Sequence, residues 1–186
     1  MSKIKTEDIN VLILCGGQGT RFRAVMDDIP KVLAPINGKP FLNLLLDNLL
    51  TQGFRRIILA TGYLGEQIET LVQKRKDGDY VISREPQPLG TGGAIKFAEP
   101  LFQSDPILIL NGDSIINYKF SNMFHFHRLK KSKITLLLSS EAGGDGYGNV
   151  TLSNDNLVLE FCNKKSHKIE QLYNAGVYLF DRSIIS

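Results

Sequence analysis

Tryptophan is absent from the 186 residues, and cysteine and histidine are scarce, with two and three copies. Two cysteines, Cys15 and Cys162, are too few for the disulfide framework of a small secreted protein or for a zinc site. This scarcity favours a reducing, cytoplasmic environment. No apolar run approaches the ~18 residues of a membrane span, since the longest covers only residues 11–15. Because the acidic Glu7 and Asp8 precede that run, we expect no signal peptide.

An excess of charge is also lacking. The formal net charge is +3 and the isoelectric point is about 8.8, whereas a nucleic-acid-binding domain is expected above ~9 with its Lys and Arg residues clustered on one face. We therefore expect neither nucleic acid nor a membrane as a partner. The hydrophobic fraction of 42% and the charged fraction of 22% exclude wholesale disorder. At ~150 residues per domain the length predicts one domain, which we place at residues 11–186 after a loose polar lead-in at residues 1–10.

Apolar runs of strand length alternate with stretches of helical periodicity along the first two thirds of the chain. This alternation, with its short connections, predicts the α/β class, with a parallel sheet covered on both faces. The pattern then changes to strands, two of them joined by a turn at residues 154–156. We predict helices over residues 41–50, 66–76, 91–102 and 121–131, and strands over residues 11–15, 55–61, 80–83, 107–110, 134–139, 149–153, 157–161 and 172–180.

The first predicted strand runs into a glycine-rich turn, Cys15-Gly16-Gly17-Gln18-Gly19-Thr20-Arg21. Glycines after a buried strand let the backbone approach a ligand and present several N–H groups to anionic oxygens. The turn is not a Walker A loop, because Gly19 is followed by Thr20-Arg21 rather than by Lys-Ser/Thr. It is not a dinucleotide fingerprint either, because Phe22 replaces the third glycine and Thr61 stands near the position of the usual acid. An NAD-dependent oxidoreductase is therefore disfavoured, while a purely structural turn stays open.

Charged residues that suit a polyphosphate follow this turn. Pro30 restricts the backbone beside Lys31, which offers a compact positive charge, and Arg21 offers a planar fork suited to phosphate. Asp113 comes directly after a predicted strand, where ligands bind in open α/β sheets, and a carboxylate there suits Mg²⁺. We predict that Arg21, Lys31 and Asp113 converge around a polyphosphate. The alternatives are solvated surface cations and a turn aspartate.

Five motifs in order resemble the signature of the sugar-1-phosphate nucleotidylyltransferases. They are GG-x-GTR with PK-x-L-x-P and KP within residues 16–40, EP-x-PLGTGGA at 85–94, LNGD at 110–113, YG-x-V at 147–150 and NAG-x-Y at 174–178. The resemblance implies a Rossmann-like, three-layer α/β fold of the nucleotide-diphospho-sugar transferase type, with a mixed, mainly parallel sheet and helices on both faces. It is strongest to the guanylyltransferases that use heptose or mannose 1-phosphate.

The implied reaction joins an NTP to a sugar 1-phosphate, with Mg²⁺, and gives a nucleotide-sugar for surface polysaccharide and pyrophosphate. GTP with heptose or mannose 1-phosphate is the expected pair. One alternative is the same reaction with UTP, CTP or dTTP as the nucleotide. Another is a nucleotide-sugar-binding subunit without catalysis. A homo-oligomer is left open. Both reactants are anions, so positioning and charge neutralisation should dominate. The three histidines, His125, His127 and His167, are expected at the surface or in packing.

The resemblance also implies a role for each motif residue. Catalysis falls to Arg21, Lys31 and Asp113, of which Asp113 also holds the metal. The residues implied in nucleotide binding are Leu14, Gly16, Gly17, Gly19, Thr20, Glu85, Gly90 and Thr91. Those implied in sugar-phosphate binding are Gly112, Tyr147, Gly148, Glu160, Lys164, Asn174 and Gly176. Asn163 stands where the family often has a glutamate that holds sugar hydroxyls. Members of the family continue past the last motif with a second metal-binding aspartate, so we expect this chain to lack that C-terminal segment.

Overall fold

The computed structural model describes residues 5–17, 19, 28–140, 149–162 and 172–185. The four α-helices of these residues are α1 (Phe41–Thr51), α2 (Gly65–Gln73), α3 (Gly90–Ala98) and α4 (Phe120–Lys130). Their strands are β1 (Val11–Leu14), β2 (Pro35–Ile36), β3 (Lys39–Pro40), β4 (Arg56–Thr61), β5 (Asp79–Arg84), β6 (Ile107–Asn111), β7 (Ile134–Ser139), β8 (Asn149–Leu152), β9 (Val158–Cys162) and β10 (Leu172–Phe180). None of the described helices is long and apolar enough to cross a membrane.

Eight of these strands form one mixed sheet in the order β5-β4-β1-β6-β10-β8-β9, with β7 paired to β10, while β2 and β3 form a separate hairpin. The four strands β5, β4, β1 and β6 are parallel, and Val11 in β1 lies level with Ile57 in β4 and Leu108 in β6. β10 runs antiparallel to β6 and begins the antiparallel part of the sheet. The prediction of an α/β fold with a mixed sheet is confirmed.

Apolar side chains cover both faces of the parallel strands, because successive residues of a strand point to opposite sides. Val11 and Ile13 face a core that contains the apolar sides of α1, α2 and α4. Leu12 faces a second core, which α3 covers with Ala94, Ile95 and Ala98. The predicted three-layer arrangement, with helices on both faces, is therefore present.

Proline and glycine mark the ends of two of these helices. The predicted helix over residues 91–102 is α-helical only from Gly90 to Ala98 and then tightens into a 3₁₀ turn, Glu99–Leu101. Pro100 lies in that turn and has no N–H to continue the α-helical ladder. Gly53 follows α1 with a φ of +93°, a backbone conformation that suits glycine and ends the helix.

The lead-in predicted to be loose is packed at its end, which corrects that expectation for residues 9 and 10. Ile9 and Asn10 are each only 3% exposed. The Asn10 side-chain oxygen accepts hydrogen bonds from the backbone N–H groups of Gln103 and Ser104, and the Asn10 N–H donates to Ser104 Oγ at 2.8 Å. These bonds link the start of β1 to the loop before β6. The apolar pattern of the sequence does not indicate them, because they depend on the polar side chain of Asn10.

Candidate active site

The parallel strands β1, β4, β5 and β6 all end at one edge of the sheet, which we call the carboxyl edge. The residues that follow them are the glycine-rich turn, Gly62, Glu85 and the pair Gly112-Asp113. β10 runs the other way, so its first residues, including Asn174 and Gly176, reach the same edge beside the end of β6. The sheet therefore collects most of the predicted site residues that the structure describes.

Glycines let the backbones at this edge touch. The Gly112 N–H donates to the Leu14 carbonyl at 2.9 Å. A Cβ atom on Gly112 would lie 2.6 Å from that carbonyl oxygen and 2.9 Å from the Val32 side chain. A Cβ atom on Gly62 would lie 2.9 Å from the Gly16 carbonyl oxygen. All three distances are too short for a side-chain carbon, so the turn after β1 is enclosed by two neighbouring backbones.

Lys31 and Asp113 meet at the carboxyl edge although 82 residues separate them. Lys31 Nζ lies 2.5 Å from Asp113 Oδ2, and the two side chains are 45% and 38% exposed. Lys31 begins a 3₁₀ turn, Lys31–Leu33, directly after Pro30, and the buried Val32 anchors that turn. Asp113 follows β6. A 3₁₀ turn and a strand end thus place one cation and one carboxylate together.

Cys15 lies behind this ion pair and is 3% exposed. Burial raises the pKa of the Cys15 thiol well above its usual range, and the negative charge of Asp113 raises it further. An un-ionised, buried thiol is not a nucleophile. Cys15 is therefore a packing residue.

Glu85 links the glycine-rich turn to the start of α3. Its Oε2 accepts a hydrogen bond from the Leu89 N–H at 3.0 Å, while its Oε1 lies 2.9 Å from where a Cβ of Gly16 would be. The carboxylate thus lies against the turn. Gly90, with a φ of +70°, and Thr91 are both exposed at the first turn of α3. A helix N-terminus with small exposed residues favours anions.

Asn174 is engaged inside the protein. Its side-chain oxygen accepts from the Gly176 N–H at 2.9 Å, and its amide nitrogen donates to the Tyr178 hydroxyl at 2.8 Å. Gly176 has a φ of +73°, and a Cβ on it would lie 2.7 Å from Asn111 Nδ2. Asn174 therefore shapes the start of β10, while Asn111, which was not among the predicted site residues, presents its amide at the edge beside it. The LNGD motif was the available signal for Asn111.

Some predicted site residues are not brought to this edge or are not described. Glu160 is exposed on β9, level with Thr151, and two strands separate β9 from β6. Leu14, Gly17 and Gly19 belong to the end of β1 and its turn. Five predicted site residues lie outside the described residues, namely Thr20, Arg21, Tyr147, Gly148 and Lys164, as do Asn163 and His167.

The two described histidines take no part in the carboxyl edge. His125 is exposed, and His127 is 4% exposed between the start of β7 and the end of β10, at the opposite edge. The His127 ring nitrogens lie 2.8 Å from Thr135 Oγ1 and 3.1 Å from Asp181 Oδ1. Their expected places, at the surface and in packing, are confirmed.

Metal-binding capacity at the edge rests on Asp113. The described residues contain no group of three or more His, Cys, Asp or Glu side chains that could hold a metal ion. Mg²⁺ is often bound by only one or two carboxylates together with substrate phosphates and water. The Asp113 carboxylate is reachable from solvent and already neutralises a cation, the Lys31 ammonium, at 2.5 Å. The residues present therefore fit a divalent metal that is held jointly with a phosphate substrate.

Comparisons with known proteins give the family and the fold. The family model described as Nucleotidyl transferase matches residues 10–186. D-glycero-alpha-D-manno-heptose 1-phosphate guanylyltransferase of Campylobacter jejuni is 39% identical over 180 residues, which are 96% of this chain and 78% of the relative. The enzyme of the same name from Aneurinibacillus thermoaerophilus is 38% identical, over 95% of this chain and 76% of the relative. The crystal structure of HddC from Yersinia pseudotuberculosis complexed with GMP-PN has a TM-score of 0.82 at 31% identity, and covers 95% of this chain and 78% of that chain.

Proposed function

The chain belongs to the nucleotidyl transferase family, and from that premise we propose that it transfers a guanylyl group from GTP to a heptose 1-phosphate, releasing pyrophosphate. The meeting of Lys31 and Asp113 beside the glycine-rich turn carries the proposal, because it gathers the groups that a triphosphate and its metal require. Two relatives with more than a third of their residues identical are heptose 1-phosphate guanylyltransferases, which supports the choice of substrates. Mannose 1-phosphate is the alternative sugar.

In the proposed reaction an oxygen of the sugar phosphate attacks the α-phosphorus of GTP. A new P–O bond forms, the bond from the α-phosphorus to the bridging oxygen breaks, and pyrophosphate leaves with that bond's electron pair. The attacking oxygen is already ionised, so no general base is needed, in keeping with the absence of a described histidine from the carboxyl edge. Catalysis then consists of alignment and charge neutralisation.

The residues of this chain divide that work. We assign Lys31 to the α-phosphate, where negative charge has to be neutralised, and Arg21 to the departing pyrophosphate. We assign the N–H groups of Gly16, Gly17 and Gly19 to the phosphates, since glycines let a backbone approach anionic oxygens closely. Asp113 would hold Mg²⁺, which when bound would neutralise phosphate charge and orient the oxygens.

Glu85 is the proposed reader of the base. Its carboxylate lies against the glycine-rich turn and offers only acceptors. Guanine presents adjacent N–H donors, whereas adenine and the pyrimidines do not present that pair. We also propose that the enzyme works in the cytoplasm as one catalytic domain, alone or as a homo-oligomer.

Pyrophosphate release, measured with a panel of nucleoside triphosphates and sugar 1-phosphates, tests the function. We expect Mg²⁺-dependent turnover with GTP and heptose 1-phosphate above every other pair. Lys31→Ala should lower kcat by on the order of 10²–10³, as for loss of one electrostatic stabiliser. Lys74→Ala, a charge removed at the far end of α2, is the matched control and should leave kcat unchanged. Absence of turnover with every pair would overturn the proposal.

A further inference from the structure

The ion pair of Lys31 and Asp113 has a consequence for how the metal binds, and this inference rests on the proposed function. We propose that Lys31 acts as a resident counter-ion that blocks a divalent cation from Asp113 until a triphosphate draws the lysine away. In this arrangement the same ammonium serves two anions in turn, first a carboxylate of the protein and then a phosphate of the nucleotide.

Lys31 and Asp113 are paired with each other in the part of the chain that the structure describes. Lys31 Nζ contacts Asp113 Oδ2 at 2.5 Å, and no other ion pair involves either residue within the described ranges. Among the described residues, the hydrogen-bond contact of Asp113 Oδ1 is a long one with Ser114 Oγ, at 3.4 Å. A cation that approaches the carboxylate therefore meets a positive charge already seated on one of its two oxygens.

The position of Lys31 is fixed by the fold. The buried Val32 anchors the 3₁₀ turn, and its Cγ1 lies 2.9 Å from where a Cβ of Gly112, the residue next to Asp113, would be. The backbones of the lysine and the aspartate are thus held close to each other, and the lysine side chain is 45% exposed, so its end has room to turn toward solvent. Displacing the ammonium needs no change of the backbone.

A triphosphate changes the balance at this site. It offers the ammonium several negative charges in place of one, and it offers the metal further oxygen ligands. When Lys31 turns to the phosphate, Asp113 is freed, so nucleotide and metal each raise the affinity for the other, as linkage requires. Without a nucleotide, a divalent ion has to break the ion pair or bind against the repulsion of a unit charge close by.

Mn²⁺ binding, followed by electron paramagnetic resonance in the absence of nucleotide, tests the proposal without measuring turnover. Lys31→Met keeps the apolar stem and removes the charge, and should bind Mn²⁺ about tenfold more tightly than the unaltered protein, the size expected for one nearby unit charge. Lys74→Met makes the same change in net charge away from the edge and should have no such effect. Adding GTP should raise the Mn²⁺ affinity of the unaltered protein by a larger factor than that of Lys31→Met.

A second measurement reads the lysine itself. Acetylation of Lys31, followed by mass spectrometry, should be faster in Asp113→Asn than in the unaltered protein, while acetylation of Lys74 should be the same in both. The inference is overturned if Lys31→Met and the unaltered protein bind Mn²⁺ with equal affinity, or if neither binds it detectably. It is also overturned if Lys31 is acetylated at the same rate in Asp113→Asn and in the unaltered protein. Because the pyrophosphate assay is separate, turnover of the unaltered protein together with either of these results would refute the counter-ion role alone.

Discussion

Replacing Gly112 by alanine is the sharpest structural test of the carboxyl edge. The new Cβ would lie 2.6 Å from the Leu14 carbonyl oxygen, about 1 Å closer than an ordinary contact of ~3.5–4.0 Å. That carbonyl accepts the hydrogen bond of the Gly112 N–H at 2.9 Å, so it cannot turn away without breaking the link between β1 and the end of β6. The new Cβ would also lie 2.9 Å from the Val32 side chain, so it has no room to shift in that direction either.

Two opposing terms decide the size of the effect. Alanine restricts the unfolded chain, which stabilises the folded state by ~0.4–1 kcal/mol. Overpacking of a closed site costs ~1–3 kcal/mol. The clash prevails, and we expect a net loss of ~1–2 kcal/mol in the free energy of unfolding, or a Tm lower by ~2–8 °C for a domain of this size.

Thermal unfolding followed by circular dichroism measures this loss. Gly92→Ala is the matched control, since Gly92 lies inside α3 with no atom within 4 Å of its Cβ position. The same chemical change there should stabilise the protein by ~0.5–1 kcal/mol, because alanine is a better helix former. If Gly112→Ala melts at or above the Tm of the unaltered protein, the close packing of these backbones is refuted.

Three further predictions concern other parts of the structure. His127→Ala removes a buried ring with two hydrogen-bond partners and should lower the free energy of unfolding by roughly 2–4 kcal/mol in urea titrations, whereas an unchanged midpoint would contradict its packing role. The hydrogen bond from Arg75 lowers the pKa of Asp77, so the stability that Asp77 contributes is complete at neutral pH and is lost as the pH falls below about 4. The difference in stability between the unaltered protein and Asp77→Asn should therefore shrink on acidification. A difference that grows would refute the assignment. Leu159→Lys, on the exposed β9, should change stability by less than ~0.5 kcal/mol and reduce self-association in sedimentation experiments, with Leu159→Ala for comparison.

Much of the fold was predictable because each strand carries its own apolar signal. The strands at residues 134–139 and 172–180 have the predicted bounds. The order of strands was not predictable to the same extent, because an apolar run has the same pattern whether its neighbour is parallel or antiparallel. The bulge in β10 between Asn174 and Tyr178 contains Gly176, which has a positive φ. The bulge was not predictable, because a single glycine in a strand does not by itself indicate a positive φ.

The candidate site was predictable where it depends on strand ends. Asp113 was expected at the carboxyl end of a buried strand, and it is there. The direct contact with Lys31 was not predictable, since it depends on how the Lys31–Leu33 turn packs through Val32. Asn174 was expected to face a sugar, yet its side chain is bonded to Gly176 and Tyr178, and such internal bonding leaves no mark in the sequence. The sugar role therefore stays a prediction.

The contact of bare backbones around Gly16, Gly62 and Gly112 bears on how the protein could be redesigned. Main-chain atoms lie against one another there, and a Cβ added at Gly62 or Gly112 would come within 3 Å of a backbone carbonyl oxygen. We therefore expect new substrate preferences to be engineered more easily at Glu85 and Asn111, which offer replaceable polar side chains, than at these glycines.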